Sequence, residues 1–313
     1  MIPKSHIQAW KSNAPWPLEN QVEQDLIISR ALCDLFSEPA LKGKVAFRGG
    51  TAINKLLFDR PLRYSEDIDL VQILPEPIGK TVDAIRDALF WLGPCRREQA
   101  GHSMHLIFKF VPEDESQSSL KLKVEINTRE HESLFGIQQY GFAMDNPWHK
   151  AKVDVASYTQ EEMFATKLRA LLQRRKNRDL FDLHHGLQQL KMAPATIVMC
   201  FGHYISLDNN SISRAIAEKT MLKKLEHSLS EDVSPLLPPG ISFTEDEAIR
   251  SFEEVWRTLI ARIDGDPWKL TDKVVQELRE KRYPDLLLDN YSPADAKVTA
   301  GISIRLPKPS PYD

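Results

Sequence analysis

Residues 63–72, RYSEDIDLVQ, place Asp67 and Asp69 inside a run that otherwise reads as an apolar strand. Successive strand side chains alternate between faces, so the two aspartates share one face while Ile68 and Leu70 share the other. Two carboxylates that close repel each other and raise one pKa, and a cation between them removes that cost. A hard ion suits such oxygen-only ligands, and Mg²⁺ or Mn²⁺ takes one or two protein carboxylates together with substrate phosphates. The same pattern also fits a solvent-facing acidic edge that discourages strand pairing. In either case Glu66 faces away from the pair.

The segment FRGGTAINKLL, residues 47–57, narrows the choice. It sets Gly49 and Gly50 between a short strand, KVAFR, and a helix, TAINKLLF, with Thr51 as the expected N-cap. Exposed N–H groups at a helix start, together with the helix dipole, favour a phosphate. A glycine pair alone is a tight turn; ahead of an acidic strand it reads as the phosphate half of a nucleotide site.

A third segment, ATKLRALLQRRKNRDLFDL, covers residues 165–183. At 100° per residue Lys167 shares a stripe with Met163, Phe164 and Leu171, an apolar setting in which an unpaired ammonium is costly. Asp182 returns to within about 60° of Lys167 if the helix continues, though Asn177 marks a candidate break. A triphosphate or a carboxylate partner would resolve the cost of that ammonium, and a purely structural salt bridge between Lys167 and Asp182 is one such pairing. Arg169, Arg174, Arg175, Lys176 and Arg178 form a local basic run. It is either a solvated helix face or a track for an RNA backbone, with Arg174, Arg175, Lys176 and Arg178 as candidate RNA contacts.

Along the chain, residues 15–36 predict a helix with Val22, Leu26, Ile27, Ala31 and Leu32 on one face. TVDAIRDALFWL predicts another, HLIFKFV a strand, DESQSS a polar turn, and LKLKVEIN a strand burying Leu122, Val124 and Ile126. The first ~150 residues therefore read as mixed α/β with four or five strands, and from TQEEMF onward the periodicity is helical. The expected organisation is α+β: a sheet-containing domain, 1–155, and a mainly helical domain, 156–313, resembling a bundle with polar joints such as SPLLPPG. The last twenty or so residues, with four prolines, are expected to wrap the surface or stay loose.

A net charge of -3 gives no global attraction to polyanions, so any nucleic-acid contact must be local. The N-terminal stretch lacks an apolar core of signal-peptide length, and nowhere do about 18 apolar residues run uninterrupted, which predicts a cytoplasmic protein with no membrane partner. Cys33, Cys95 and Cys200 lack zinc or disulfide spacing and read as reduced core thiols. Neither His102 with His105 nor His184 with His185 has ligand companions at zinc spacing, so both pairs are assigned to surface or core packing.

FRGGTAINKLLFDRPLRYSEDIDL resembles the glycine-pair and D-h-D signature of the DNA polymerase β-type nucleotidyltransferase superfamily. RGGTA, then R-x-S-x-DID, then A-x-KL...RDLFDL is similar to the AbiEii/AbiGii (MenT-like) toxin family, over roughly residues 45–185. The resemblance implies a nucleotidyltransferase fold and a toxin of a toxin–antitoxin or phage-defence pair. It would move NMP from an NTP to an acceptor, with a tRNA 3′ end the first candidate, releasing pyrophosphate. It places Asp67, Asp69, Lys167 and Asp182 in the catalytic site, with Gly49, Gly50, Thr51, Ser65 and Lys167 toward the nucleotide. It also implies a third carboxylate on a neighbouring strand, for which Glu125 is the candidate; an exposed ladder of Lys121, Lys123 and Glu125 is the other reading. Ser65 holds the family's serine position, as a phosphate-positioning group, a backbone turn or a target of inactivating modification. A cognate antitoxin is the implied partner. The alternatives are transfer to a protein or small molecule, and a nucleotide- or RNA-binding regulator without turnover.

Overall fold

The computed structural model describes residues 2–114, 119–207 and 210–288. The expected DESQSS turn falls mostly outside these residues, and the expected loose tail falls wholly outside them. In chain order the elements are α1 (Lys4–Trp10), α2 (Glu19–Ser37), β1 (Val45–Arg48), α3 (Gly49–Leu56), β2 (Asp67–Gln72), α4 (Gly79–Ala88), β3 (Cys95–Ala100), β4 (Ser103–Phe110), β5 (Leu120–Asn127), β6 (Gln138–Asn146), β7 (His149–Ser157), α5 (Gln160–Gln173), α6 (Arg178–Gln189), α7 (Pro194–Ser206), α8 (Arg214–Lys224), α9 (Glu245–Thr258) and α10 (Thr271–Lys281).

One mixed sheet of seven strands in the order β3-β4-β5-β2-β1-β7-β6 organises the first half. The expected four or five strands undercount it, and the reason is visible in the burial. β3 is half-buried or exposed along its length, and the first half of β6 is polar and exposed, so neither carries an apolar run that sequence periodicity detects. The predicted β5 lies at residues 120–127 and buries Leu122, Val124 and Ile126. In the centre β2 runs antiparallel to β1 and parallel to β5. That register sets Asp67 opposite Lys123 and Asp69 opposite Glu125.

α2 packs on the sheet through the predicted apolar face, in which Val22, Leu26, Ile27, Ala31 and Leu32 are all buried. Its Gln24 Nε2 donates to the carbonyls of Glu66 and Lys121, clamping β2 and β5 at their starts. Trp10 Nε1 and Lys55 Nζ both donate to Asp25 Oδ1, at 2.8 and 2.7 Å, joining α1, α2 and α3 through one buried carboxylate.

The change from sheet to helix falls between Ser157 and Gln160. α5 begins at a capping box in which Thr159 Oγ1 accepts from the Glu162 N–H and the Glu162 carboxylate reaches back to the Thr159 N–H. Glu162, fully buried, also receives Ser133 Oγ, the Leu134 N–H and Tyr204 OH, so the cap ties α5 to the β5–β6 connection and to α7. α5 stops before Arg174 and α6 starts after Asn177, the expected break. Turning there, α6 packs back on α5 so closely that a Cβ on Gly186 would overlap the Phe164 ring. The structure therefore predicts that Gly186→Ala destabilises the fold by about 2–3 kcal/mol through overpacking, measurable by urea unfolding.

Candidate active site

The β1–α3 junction is built by glycine for two separate reasons. Gly49 has φ +83°, a backbone conformation that side chains resist, and a Cβ on it would overlap Asp69 Oδ2. Gly50 has no such torsion, but a Cβ there would lie 2.8 Å from Arg63 Nη2 and 3.5 Å from both Lys167 Nζ and Ser65 Oγ. Consecutive glycines thus let an acidic wall and a cationic wall meet across one residue.

The helix following them starts earlier than expected. Arg48 is the N-cap of α3, and Thr51, expected in that role, lies inside the helix. The reason is the hydroxyl's other bonds. Thr51 Oγ1 lies 2.6 Å from the Asp67 carbonyl and 2.7 Å from Ser65 Oγ. Its one proton goes to the carbonyl, so Ser65 is the donor to Thr51. Buried and spent on these bonds, Thr51 underpins the start of β2 while Ser65 keeps its lone pairs toward the cleft.

On the acidic wall Asp67 and Asp69 share a face of β2, as the alternation predicts, and line the same cleft as Lys123 and Glu125. Burial and the charges of Asp67 and Glu125 raise the pKa of Asp69, against the lowering influence of Arg48 and Lys123. Glu125 is half-buried and fully engaged. Its Oε1 accepts from Ser103 Oγ at 3.1 Å, and its Oε2 lies 3.2 Å from Lys123 Nζ and 3.3 Å from His105 Nε2. Burial raises the Glu125 pKa, but these donors, Lys123 foremost, bring it below the usual value. Among the described residues no group of three or more His, Cys, Asp and Glu side chains forms a metal cage. Two co-facial carboxylates, one of them under net repulsion and packed against a bare glycine, nevertheless fit a divalent cation of the kind that completes its shell with phosphates.

The cationic wall is assembled from residues far apart in sequence. Arg63, 2% exposed, forks onto Asp182 with Nε–Oδ1 and Nη2–Oδ2 both 2.7 Å. Lys167 Nζ lies 2.8 Å from Asp182 Oδ2 and 3.0 Å from Asp179 Oδ1. Burial disfavours each charge, yet Arg63 and Lys167 hold the Asp182 carboxyl well below its ordinary range, and Asp179 and Asp182 raise the Lys167 pKa. An ammonium with two of its three donors taken keeps the third, next to Gly50.

A second pair flanks the cleft. Glu130 accepts from Arg48 Nη1 at 2.6 Å and lies 2.9 Å from Arg169 Nη2, linking the end of β1 to α5. Burial opposes its charge, but the two arginines bring its pKa from 4.5 down to about 2. Arg174, Lys176 and Arg178 line the cleft, whereas Arg175 is exposed off its wall. Its free volume is about 500 Å³. Of the histidines, His105 joins Glu125, His184 pairs with Glu254, and His185 meets the Phe181 ring at a tilt.

Sequence reasoning missed Arg63, Lys123 and Asp179 as parts of the cleft and Glu130 at its flank. Asp179 carried a usable signal, since in RDLFDL it stands three residues before Asp182 and so shares its helix face. Lys123 and Glu130 carried none, because only sheet register and long-range folding place them there.

Residues 30–272 match the family described as "Nucleotidyl transferase AbiEii toxin, Type IV TA system". Among solved structures, the chain is similar to MenT4, a nucleotidyltransferase toxin from Mycobacterium tuberculosis, with TM-score 0.57 and 14% identity over 90% of this chain and 99% of that one. It also matches JHP933 from Helicobacter pylori, with TM-score 0.48 and 18% identity over 84% of this chain and 98% of that one. No curated protein matches the sequence significantly.

Two outcomes are expected. Because the Asp69 pKa is raised, its stabilising contribution is present below the ordinary 3.8 and lost as pH rises through the raised value, so at neutral pH its charge is a cost. Asp69→Asn should therefore raise metal-free stability, read as a higher Tm in EDTA. Glu130 behaves oppositely: its contribution is present above 4.5 and lost as pH falls toward about 2. Glu130→Gln should cost about 2–3 kcal/mol at pH 7 and flatten the acid limb of stability in that window, as denaturant titrations will read.

Proposed function

This chain belongs to the AbiEii family of nucleotidyltransferase toxins, and from that premise we propose that it transfers NMP from an NTP to an RNA 3′ hydroxyl, that of a tRNA by preference. The observation that carries this reading is the meeting, across Gly49 and Gly50, of a carboxylate pair with a buried lysine and arginine. Such walls suit opposite ends of one ligand. Asp67 and Asp69 would hold Mg²⁺ or Mn²⁺, which when bound neutralises phosphate charge and orients the triphosphate. The N–H groups at the start of α3 and the remaining donor of Lys167 face the phosphates, and Ser65 joins them as a donor only by turning its proton from Thr51 toward the cleft.

In the transfer, the acceptor oxygen bonds to the α-phosphorus and loses its proton to solvent. The bond from the α-phosphorus to the α,β-bridging oxygen breaks, and pyrophosphate leaves with the electron pair. The protein's part is positioning and charge stabilisation, with Lys167 balancing negative charge that moves toward the leaving phosphates. Asp182 holds Lys167 and Arg63 in place. We assign the RNA backbone to Arg174, Lys176 and Arg178 at the cleft rim, with Arg175 beside them, so that binding weakens as salt rises. In this reading the sheet half, 1–155, carries the metal pair, and the helical half, 156–313, carries Lys167, Asp182 and the acceptor track. The protein acts in the cytoplasm beside a cognate antitoxin; among the described residues no helix is long and apolar enough to cross a membrane.

With α-labelled ATP, CTP, GTP and UTP offered in turn, total RNA and Mg²⁺, the expected result is label on a small RNA. Asp67→Ala and Lys167→Met should each lower that labelling by about 100-fold or more. Equal labelling by Asp67→Ala would remove the mechanism, and label that survives RNase on protein would move the acceptor to a side chain.

A further inference from the structure

Lys121, Lys123 and Glu125 share a face of β5, and in a plain exposed ladder all three would point into water. Lys123 does not. Its Nζ lies 3.1 Å from Asp67 Oδ2 and 3.2 Å from Glu125 Oε2, in the gap between the carboxylates of two neighbouring strands. The placement follows from register: Lys123 is the direct partner of Asp67 across the β2–β5 pair, and Glu125 is the partner of Asp69. Lys123 is the one ammonium that reaches this face of β2 among the described ion pairs. A divalent ion on Asp67 and the Lys123 ammonium would claim the same carboxylate, and two positive charges that close repel strongly.

We propose that Lys123 is a built-in counter-ion that occupies Asp67 in the metal-free protein and withdraws to Glu125 when a divalent cation arrives. Glu125 then serves as the seat of the displaced ammonium, held ready by Ser103 and His105, rather than as a metal ligand. The inference rests on the reading of Asp67 and Asp69 as the metal pair. Its functional consequence is coupling. A cation alone must displace Lys123, whereas a cation carried on a triphosphate brings negative charge that compensates the ammonium left beside it. Metal therefore enters together with nucleotide, and the free protein stays poorly loaded. Lys123 is thus a positioning residue, acting on the metal through Asp67.

The test is Mn²⁺ binding to the full chain without nucleotide, read by the electron paramagnetic resonance of free Mn²⁺. Lys123→Met and Lys123→Gln should bind Mn²⁺ about tenfold or more tighter than the natural protein, while Lys123→Arg, which keeps the charge, stays near it. Adding Glu125→Gln to Lys123→Met should change the affinity by less than about threefold. Neutral variants that bind no tighter, or a Lys123→Arg that gains as much as they do, would overturn the proposal. So would a tenfold loss on adding Glu125→Gln, which would make Glu125 a ligand. Asp67→Asn separates the two levels: it should abolish Mn²⁺ binding in both the natural and Lys123→Met backgrounds. Binding that survives it would refute the metal pair itself, whereas binding lost with Asp67→Asn but unmoved by Lys123→Met would refute only the counter-ion.

Discussion

The buried carboxylate of Asp182 is the interaction on which the rest of the cleft depends. A charge with essentially no exposure is tolerable only when paired and hydrogen-bonded, and Asp182 meets that demand with a forked arginine and a lysine. Each partner comes from a different element. Arg63 belongs to the segment leading into β2, Lys167 to α5, and Asp182 to α6. Satisfying one carboxylate therefore fixes three pieces of chain and sets the edge of the strand that carries Asp67. The α5–α6 turn at Asn177 makes this possible, because a continuous helix would hold Asp182 far along the axis from Lys167.

Opposite this tightly paired wall stands one that is left electrically incomplete. Asp69 is pushed up in pKa by burial and by its neighbours against the pull of Arg48 and Lys123, and Lys123 is itself shared between Asp67 and Glu125. Such strain is expected where function requires it. In the proposed function the contrast between the walls is what assigns them different partners: the paired wall is a rigid support, and the strained wall is where an incoming cation would gain most. Position 49 demands glycine, since a Cβ there meets Asp69 on a left-handed backbone, and a Cβ at 50 would crowd Arg63, which Asp182 holds in place.

Much of this was legible in the sequence where one local rule governs. Strand alternation alone put Asp67 and Asp69 on one face, helical spacing alone put Lys167 on an apolar stripe, and glycine before a helix marked a close approach. The strand at 120–127 was legible because its buried and open faces alternate strictly. Local rules failed where burial is uneven, as in β3 and β6, and where a side chain had more than one role to choose from. Thr51 has the residue type of an N-cap, but its hydroxyl is drawn into the Ser65–Asp67 contact and the helix begins two residues earlier.

The sequence by itself thus determined which chemistry the chain carries: a co-facial acid pair, a glycine junction and a lysine too apolar in setting to stay unpaired. Tertiary structure alone decided who neutralises whom. Arg63 finds Asp182 across 119 positions, and Lys123 finds Asp67 through strand register. Periodicity reaches only a few residues along the chain, whereas a Coulombic partner is chosen by distance in space and by exclusion of water, and both exist only once sheet and helices have packed.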